Sequence, residues 1–463
     1  MTLPAGLSCN AFTDGAPVSG ALIDRANRWG SKGESLTRQQ TLAPAQFGEN
    51  DWKCPEVGWG VVLADRQDLS PADKAAGVDA PEPIRRLLAA RGNAPVLRYD
   101  PELKDEKLAR YFPDGSRQDP AIGLSDFGVA RGRLPRYLLI VGSPTEVPWR
   151  LQFSLNRRHQ VGRLDLPPEG LENYVAALLS EWQDAPSRIG HAMVWSTNVD
   201  AITSAMEATV ADFIADAMKN DKDKELTVHR LAGDDATHTA LLTGLVESQP
   251  GVVVTSSHGK TGPLDDPDAM RRSLGLPVDA DHTTLDPKVL LGAWSPAGAV
   301  WYAQACCSAG INSGTSFRGL LQEETLAFRV VEAVGQLGAA VAPLPTLLLG
   351  APNPLRAFIG HVEPTFDWTL RMPDTGQPLT TGLVNAIYPR LFGRRPVALA
   401  FNAHYDGVGE LYARLADARR DVDSGVPDAR DRATYYRLTA HDRESLVLLG
   451  DPTVMVPPLP SQA

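Results

Sequence analysis

Two residue types suited to nucleophilic chemistry follow two predicted strands of this sequence. His258-Gly259 comes shortly after the apolar run GVVVT at Gly251–Thr255, and Cys306 comes shortly after AVWYAQ at Ala299–Gln304. A free thiol has a pKa of about 8.5, so near neutral pH it needs a neighbouring base to become an effective nucleophile. Imidazole, which titrates at roughly 6.5, can take the thiol proton and later give it to a leaving amine. The pair therefore indicates acyl-transfer chemistry, with Cys306 as nucleophile and His258 as base.

Acyl transfer also needs hydrogen-bond donors for the developing oxyanion. Gly259 has no Cβ, so its N–H can approach a substrate carbonyl closely, and the N–H of Cys306 is the second candidate donor, above all if a helix begins there. Glu146 is a candidate for orienting His258, although a dyad needs no third member. His361 is more simply interpreted as a structural histidine than as a second base.

Cys307 is the rival nucleophile. Adjacent residues at the end of a strand point to opposite sides, so only one of the two cysteines should face the site. A cysteine taken alone is more often a buried, inert residue, and that is the simple interpretation of Cys307. The adjacent pair lacks the C-x₂₋₄-C spacing of zinc sites, and Cys9 and Cys54 lie far away in the sequence. We expect no metal and no cofactor.

The elements that must position the pair follow an alternating pattern. Short apolar strands such as YLLIV at Tyr137–Val141 alternate with amphipathic helices such as Leu171–Trp182. This alternation predicts βαβ units and a mainly parallel sheet with helices on both faces, and the continuous apolarity of the strands is typical of burial on both sides. Ligands of such sheets bind at the carboxyl ends of the strands, where His258 and Cys306 are expected.

The first 130 residues have a weaker pattern, with one predicted strand at Val57–Leu63 and a short helix at Pro83–Arg91. We assign residues 1–130 to a smaller N-terminal subdomain of unclear role and 131–463 to the main domain. The acid-rich stretch Leu264–Pro287 is either a solvated surface loop or a mobile loop over the cleft that orders on activation or is itself cut.

Composition excludes several classes of function. A net charge of −11 over 463 residues and only short basic clusters argue against nucleic acid as the main partner. The N-terminal residues lack the pattern of a signal peptide, and no run reaches the roughly 18 apolar residues of a membrane span. Four cysteines are too few for a disulfide framework. These features favour a cytoplasmic protein that does not bind membranes.

The residues around the candidate pair resemble a known family. Gln304-Ala305-Cys306 after an apolar strand, with Ser-His-Gly about 50 residues upstream, resembles the caspase signature. Cys307 and Ser308 stand where caspases have a variable residue and a glycine. The longer pattern is more similar to the bacterial gingipain-type and CHAT-domain members of the same clan, through the strings YLLIVGSPTEVPW, QVGRL, SSHG, QACCSAG, AFIGHVE and LLGDPTV.

The resemblance implies a caspase-like three-layer α/β/α sandwich with a mostly parallel central sheet. It also implies a regulated cysteine endopeptidase that cleaves a protein or peptide through a thioester at Cys306, without a cofactor and in a bacterial stress or defence pathway. An activating partner or ligand is a further expectation. The competing interpretations are a catalytically silent scaffold of the same fold, and an acyltransferase or other thiol hydrolase.

Relatives of this kind select one substrate side chain in a charged pocket. Arg157 and Arg158, just before QVGRL, are candidates for selecting an acidic side chain. Asp165, just after it, is the candidate if the selected side chain is basic.

Overall fold

The computed structural model describes residues 4–13, 16–23, 26–30, 48–92, 94–183, 185–221, 226–372 and 374–459. The strands are β1 (Gly6–Thr13), β2 (Ala16–Ala21), β3 (Trp59–Ala64), β4 (Val96–Tyr99), β5 (Arg110–Tyr111), β6 (Arg117–Gln118), β7 (Tyr137–Val141), β8 (Gln160–Leu164), β9 (Arg188–Ser196), β10 (Thr227–Ala232), β11 (Pro250–Ser256), β12 (Gly259–Lys260), β13 (Val300–Gln304), β14 (Gly310–Ile311), β15 (Ala340–Val341), β16 (Ala357–His361) and β17 (Leu446–Gly450).

The α-helices are α1 (Ala26–Gly30), α2 (Pro71–Ala76), α3 (Glu82–Ala90), α4 (Trp149–Asn156), α5 (Pro168–Leu179), α6 (Ala201–Met206), α7 (Asp212–Asn220), α8 (His238–Ser248), α9 (Pro267–Ser273), α10 (Pro287–Ala293), α11 (Leu326–Gln336), α12 (Pro343–Leu349), α13 (Thr381–Asn385), α14 (Val397–Ala400), α15 (Asn402–Asp423) and α16 (Ala429–Glu444). Within the described ranges, none of these helices combines the length and apolarity needed to cross a bilayer.

A ten-stranded sheet forms the centre, in the order β10-β9-β11-β13-β16-β17-β8-β7-β3-β4. Every neighbouring pair is parallel except β16 and β17, which are antiparallel. The sheet therefore consists of two parallel halves that run in opposite directions and meet at that pair. The predicted fold class, an α/β protein with a mostly parallel central sheet, is confirmed.

Strand β7 illustrates why the continuous apolar runs become central strands. Its side chains alternate between two cores, because successive residues of a strand point to opposite faces. Leu139 lies in a core shared with Leu87 of α3 and Leu171 of α5, whereas Leu138 lies in a core shared with Leu151 of α4. Both faces of this strand are thus covered by helices, so every residue in it can be apolar without exposing apolar surface to water.

The first 130 residues contribute directly to the central sheet. Strand β3 pairs in parallel with β7, with Trp59 opposite Tyr137, so strands from both sides of the predicted boundary are neighbours. The division into 1–130 and 131–463 stays a prediction about how the chain is organised. The predicted strand at Val57–Leu63 and helix at Pro83–Arg91 correspond to β3 and α3 within two residues at each end.

The interpretation of Leu264–Pro287 as a solvated loop is wrong for much of its length. Residues Pro267–Ser273 form helix α9, which Asp266 caps by accepting a hydrogen bond from the N–H of Ala269. Residues 274–279 are buried, and the N–H of Val278 donates to the carbonyl oxygen of His258 at 3.0 Å. The acidic residues suggested exposure, but several of them cap helices or turns.

Candidate active site

The sheet register places the two predicted catalytic residues side by side. Strands β11 and β13 are parallel neighbours, and Ser256 lies opposite Gln304 in their register. His258 and Cys306 each follow two residues after that matched pair. Both therefore leave the carboxyl edge of the sheet at the same level, as their sequence positions predicted.

A third group arrives from the next strand along the sheet. Strand β9 pairs with β11 on the side away from β13, and Asp200 lies four residues beyond its end. The Asp200 carboxylate is 2.9 Å from Nε2 of His258. Three consecutive strands thus deliver a carboxylate, an imidazole and a thiol to one edge.

Asp200 is held in place by the start of helix α6. It is the N-cap residue of that helix and forms a reciprocal capping box with Thr203, whose N–H donates to Asp200 Oδ1 at 3.0 Å. Burial alone would raise the pKa of Asp200, but the hydrogen bonds from His258 and Thr203 outweigh it and lower that pKa to about 2. The carboxylate is therefore ionised at any pH near neutrality.

This pairing selects one tautomer of His258. Because Asp200 is an ionised acceptor, the shared proton lies on Nε2, and Nδ1 of a neutral ring is left as the basic nitrogen. His258 Nδ1 is buried and has no hydrogen-bond partner. The imidazole is thus oriented by Asp200 and retains one free nitrogen, which is the state a general base requires.

Cys306 is completely buried, with 0% of its surface exposed. Its sulfur accepts a hydrogen bond from the N–H of Thr365 at 3.1 Å, and it lies 3.8 Å from the sulfur of Cys9. The thiol and the His258 imidazole do not hydrogen-bond to each other, since His258 Nδ1 is unpartnered. The predicted helix start at Cys306 is absent from this part of the structure: the described chain turns there, with the N–H of Ser308 donating to the Ala305 carbonyl.

Cys307 differs from Cys306 in both backbone and environment. It adopts a left-handed conformation with φ of 55°, and its N–H donates to the Glu363 carbonyl oxygen at 3.0 Å. Burial raises the pKa of the Cys307 thiol well above its ordinary value, and the nearby Cys306 and Glu363 charges raise it further. Because the thiolate is the reactive form, this environment disfavours Cys307 as the nucleophile.

Gly259 lies against the backbone of Cys306. A Cβ at this position would be 2.0 Å from the Cys306 carbonyl oxygen, so no other residue fits without a shift of the main chain. Gly259 also pairs in parallel with Ala11 of β1. The close contact explains the glycine sterically, and the role of its N–H as an oxyanion donor stays a prediction.

The residues predicted to select a substrate side chain are not brought to Cys306. Arg157 donates to Glu444 at 2.9 Å, and Arg158 stacks on the ring of Phe127. Both precede β8, which is three strand positions from β13 in the sheet, or roughly 14 Å at the usual strand spacing. Asp165 follows β8, which runs opposite to β13, so it lies at the other edge. The geometry therefore gives these three predictions no support.

Glu146 and His361 have other surroundings as well. The Glu146 carboxylate accepts hydrogen bonds from the N–H and hydroxyl of Ser143 within its own turn, and the partner of His258 is Asp200 instead. His361 is buried at the end of β16, and burial lowers its pKa to about 3. A histidine with so low a pKa remains neutral near pH 7, as the structural interpretation expects.

Sequence reasoning missed Asp200. The signal was present, because Asp200-x-x-Thr203 after an apolar strand is a helix-capping pattern at the carboxyl end of that strand. Nothing in the sequence near residue 200 indicates that the Asp200 carboxylate pairs with His258, which lies 58 positions away. Among the residues that the structure describes, no group of three or more His, Cys, Asp and Glu side chains is arranged to hold a metal ion.

Comparison with known proteins gives a resemblance of fold. No family model and no curated protein matches the chain. A solved structure described as that of a protease has 11% identity and a TM-score of 0.47, with 86% of this chain and 78% of that chain covered. The complex of the pro- and mature domains of RgpB from Porphyromonas gingivalis has 10% identity and a TM-score of 0.41, with coverages of 87% and 80%. The Arg-specific cysteine proteinase gingipain R (RgpB) has 10% identity and a TM-score of 0.41, with coverages of 87% and 79%.

Gingipain R belongs to the caspase-like class that the sequence motifs resemble. At such identities the likeness concerns the fold and carries no information about activity. A function for this chain has to be argued from Cys306, His258 and Asp200 themselves.

Proposed function

We propose that this chain is a cysteine endopeptidase that hydrolyses a protein substrate through a thioester at Cys306. The observation that carries the proposal is the delivery of Asp200, His258 and Cys306 to one edge by three neighbouring parallel strands. Groups at the carboxyl ends of such strands are the usual place for catalysis in open α/β sheets. The stress or defence role implied by the family resemblance remains a prediction.

Each residue has a definite role in this reaction. His258 Nδ1 accepts the Cys306 thiol proton, and the sulfur attacks the carbonyl carbon of the scissile peptide bond. The tetrahedral intermediate collapses as His258 gives the proton to the leaving amine, which leaves a thioester on Cys306. Water, deprotonated by His258, then releases the acid product and restores the thiol.

Asp200 is a positioning residue in this scheme. It accepts the Nε2 hydrogen of His258 at 2.9 Å, so it keeps Nδ1 available and stabilises the imidazolium that forms during the reaction. Gly259 and Cys306 remain the proposed oxyanion donors through their backbone N–H groups. Gly259 contacts the Cys306 main chain directly, so both N–H groups belong to one compact segment.

The test is cleavage of a diverse peptide library by the wild type and by the variants Cys306→Ala and Cys307→Ala. Long incubation is needed because Cys306 and His258 are both buried. We expect the Cys306 variant to lose cleavage and the Cys307 variant to keep it, and the cut sites would reveal the selected side chain. Cleavage that survives in Cys306→Ala would contradict the proposal.

The burial of both side chains favours a second candidate, a catalytically silent binding module of the same fold. The two candidates differ in the reactivity of the thiol. Once reagent can reach it, an activated Cys306 should react with iodoacetamide faster than Cys54, the most accessible of the four cysteines. A Cys306 that labels more slowly than Cys54 even in a variant whose Cys306 is exposed, with no peptide cleavage by that variant, would support the silent module.

A further inference from the structure

Strand β1 lies across the candidate active site. On one side Ala11 and Phe12 pair in parallel with Gly259 and Lys260, which continue the chain beyond β11. On the other side the N–H of Asn10 donates to the Thr365 carbonyl at 2.8 Å, in the segment beyond β16. Because β13 lies between β11 and β16 in the sheet, β1 spans the position at which β13 delivers Cys306.

The side chains of β1 cover both reactive groups. Cys9 places its sulfur 3.8 Å from the sulfur of Cys306, and the Phe12 ring lies 5.6 Å from the His258 ring, centroid to centroid. As a result Cys306 is 0% and His258 is 1% exposed. A peptide in solution cannot reach either group while β1 stays in place.

The slot that β1 fills has the features of a peptide-binding groove. It offers backbone hydrogen-bonding partners on both sides, as in the addition of an extended peptide to exposed strands. Beside it lies a cavity that reaches Thr365, whose N–H donates to the Cys306 sulfur. Residues from several elements line this cavity, among them Asn10, Ile202, Gln304, Thr365, Leu383 and Asp442.

The fit between β1 and this cavity is incomplete. Asn10 is 1% exposed, yet neither its amide nitrogen nor its amide oxygen has a hydrogen-bond partner in the described structure. The Asp442 Oδ1 atom is likewise buried without a partner. Buried polar groups without partners oppose burial, so the strand is held less well here than a matched occupant would be.

We propose that β1 occupies the groove in which an extended substrate peptide binds, and that it holds the peptidase in a self-inhibited state. This inference rests on the proposed function. The group that meets the Cys306 sulfur is the Cys9 thiol, and a thiol has no acyl carbon for Cys306 to attack. The strand therefore blocks the nucleophile at this contact without presenting a bond to cleave there.

The hairpin is anchored away from the site, and this allows a test that leaves the catalytic residues intact. Strand β2 pairs with β1 and packs on α11 through Gly20. A Cβ at Gly20 would lie 2.8 Å from the Cβ of Ala327 and 3.1 Å from Oγ1 of Thr325. The substitution Gly20→Val should therefore push the hairpin off α11.

Gly190 supplies the matched control. It is also a strand glycine, in β9, and a Cβ added there would meet no atom within 4 Å beyond its chain neighbours, so Gly190→Val adds the same atoms where the space around the Cβ is open. If Gly20→Val fails to fold, Leu7→Ala serves as the second hairpin variant, because it only removes apolar contacts from the hairpin core. Two rates are measured on the full chain under native conditions: alkylation of Cys306 by iodoacetamide, followed by peptide mass mapping, and cleavage of a peptide library.

We expect both rates to rise at least tenfold in the folded hairpin variants and to stay at the wild-type level in Gly190→Val. Cleavage and alkylation that are already fast in the wild type and unchanged in Gly20→Val and Leu7→Ala would overturn self-inhibition, with the peptidase assignment intact. Faster alkylation with no cleavage by any form would support β1 as the cover and overturn the proposed function.

Discussion

The two halves of the central sheet each contain a buried histidine, and the pair can be compared directly. His159 precedes β8 in one half and His258 follows β11 in the other, and each is 1% exposed. Both ring nitrogens of His159 lie within hydrogen-bonding distance of a backbone carbonyl, at 2.9 Å from Pro135 and 3.4 Å from Ile122. In His258, Nε2 instead hydrogen-bonds to the Asp200 carboxylate, and Nδ1 has no hydrogen-bond partner.

The difference separates a structural role from a chemical one. Burial lowers the pKa of His159 to about 4, so its ring stays neutral near pH 7 and has one N–H to donate to a backbone carbonyl. His258 has an anionic partner, which stabilises a positive charge on the ring during proton transfer, and a nitrogen available to receive the proton. Equal burial therefore does not distinguish the two histidines, whereas the hydrogen-bond partners of their ring nitrogens do.

The largest effect is expected at the nucleophile. Cys306→Ala should reduce kcat/KM for peptide cleavage by about 10⁴-fold, because no acyl-enzyme can form. Cys307→Ala, one residue away, should change it by only a few-fold. The measurement is steady-state cleavage of a peptide identified from the library. An equal loss in both variants would indicate a structural effect of the turn.

Replacing the two histidines tests the comparison itself. His258→Ala should lower kcat/KM by about 10³-fold through loss of the base. His159→Ala should leave kcat/KM within a few-fold of the wild type and reduce the free energy of unfolding by about 1–3 kcal/mol, because a buried backbone carbonyl loses its hydrogen-bond donor. Peptide cleavage and urea unfolding of both variants check this. A large loss of cleavage in folded His159→Ala would break the comparison.

Asp200→Asn should lower kcat by about a hundredfold, because an amide does not hold the Nε2–H tautomer of His258 as an ionised carboxylate does. A purely structural role would leave the shape of the pH–rate profile unchanged. We expect the acidic limb of that profile to shift to lower pH in Asp200→Asn, since the imidazolium loses its anionic partner. Asp200→Glu, which keeps the charge, should recover part of the activity, and an unshifted profile would argue against positioning by Asp200.

Gly259→Ala should destabilise the fold by about 1–3 kcal/mol, because the added Cβ would lie 2.0 Å from the Cys306 carbonyl oxygen. Gly190→Ala, which meets open space in β9, should change the free energy of unfolding by less than about 1 kcal/mol. Urea unfolding at pH 7 compares the two. Equal stabilities would show that the segment around Cys306 can move to accept a side chain.

The last effect concerns the pH dependence of stability, which changes gradually rather than at a single pH. The pKa of His159 is about 4 in the folded chain and roughly 6.5 when unfolded. The unfolded state therefore binds the extra proton between these values, and stability falls as the pH decreases from 6.5 to 4, by at most about 1.4 kcal/mol per pH unit. His159→Gln should make this decline shallower. Unfolding free energies measured across that range test it, and an unchanged slope would contradict the prediction.

Much of the fold and the central pair of the site followed from local sequence pattern. Strand β7 has the bounds that the YLLIV run predicted, and β11 and β13 end within one residue of their predicted ends. A strand buried on both faces needs a continuous apolar run, which a single sequence displays directly. Because His258 and Cys306 each follow such a run within three residues, it could also be predicted that they lie near each other.

The remaining parts of the site were decided by contacts between distant segments. Asp200 and His258 come together because β9 lies beside β11, and nothing in the sequence around residue 200 states that order. Cys9 meets Cys306 across 297 positions, and its strand lies in the region with the weakest pattern. Local propensity and periodicity describe neighbours in the chain, whereas strand order and the placement of β1 depend on which buried surfaces fit together. The sequence by itself thus predicted Cys306 and His258 as a pair, and only the tertiary structure revealed the Asp200 carboxylate beside His258 and the strand that covers both side chains.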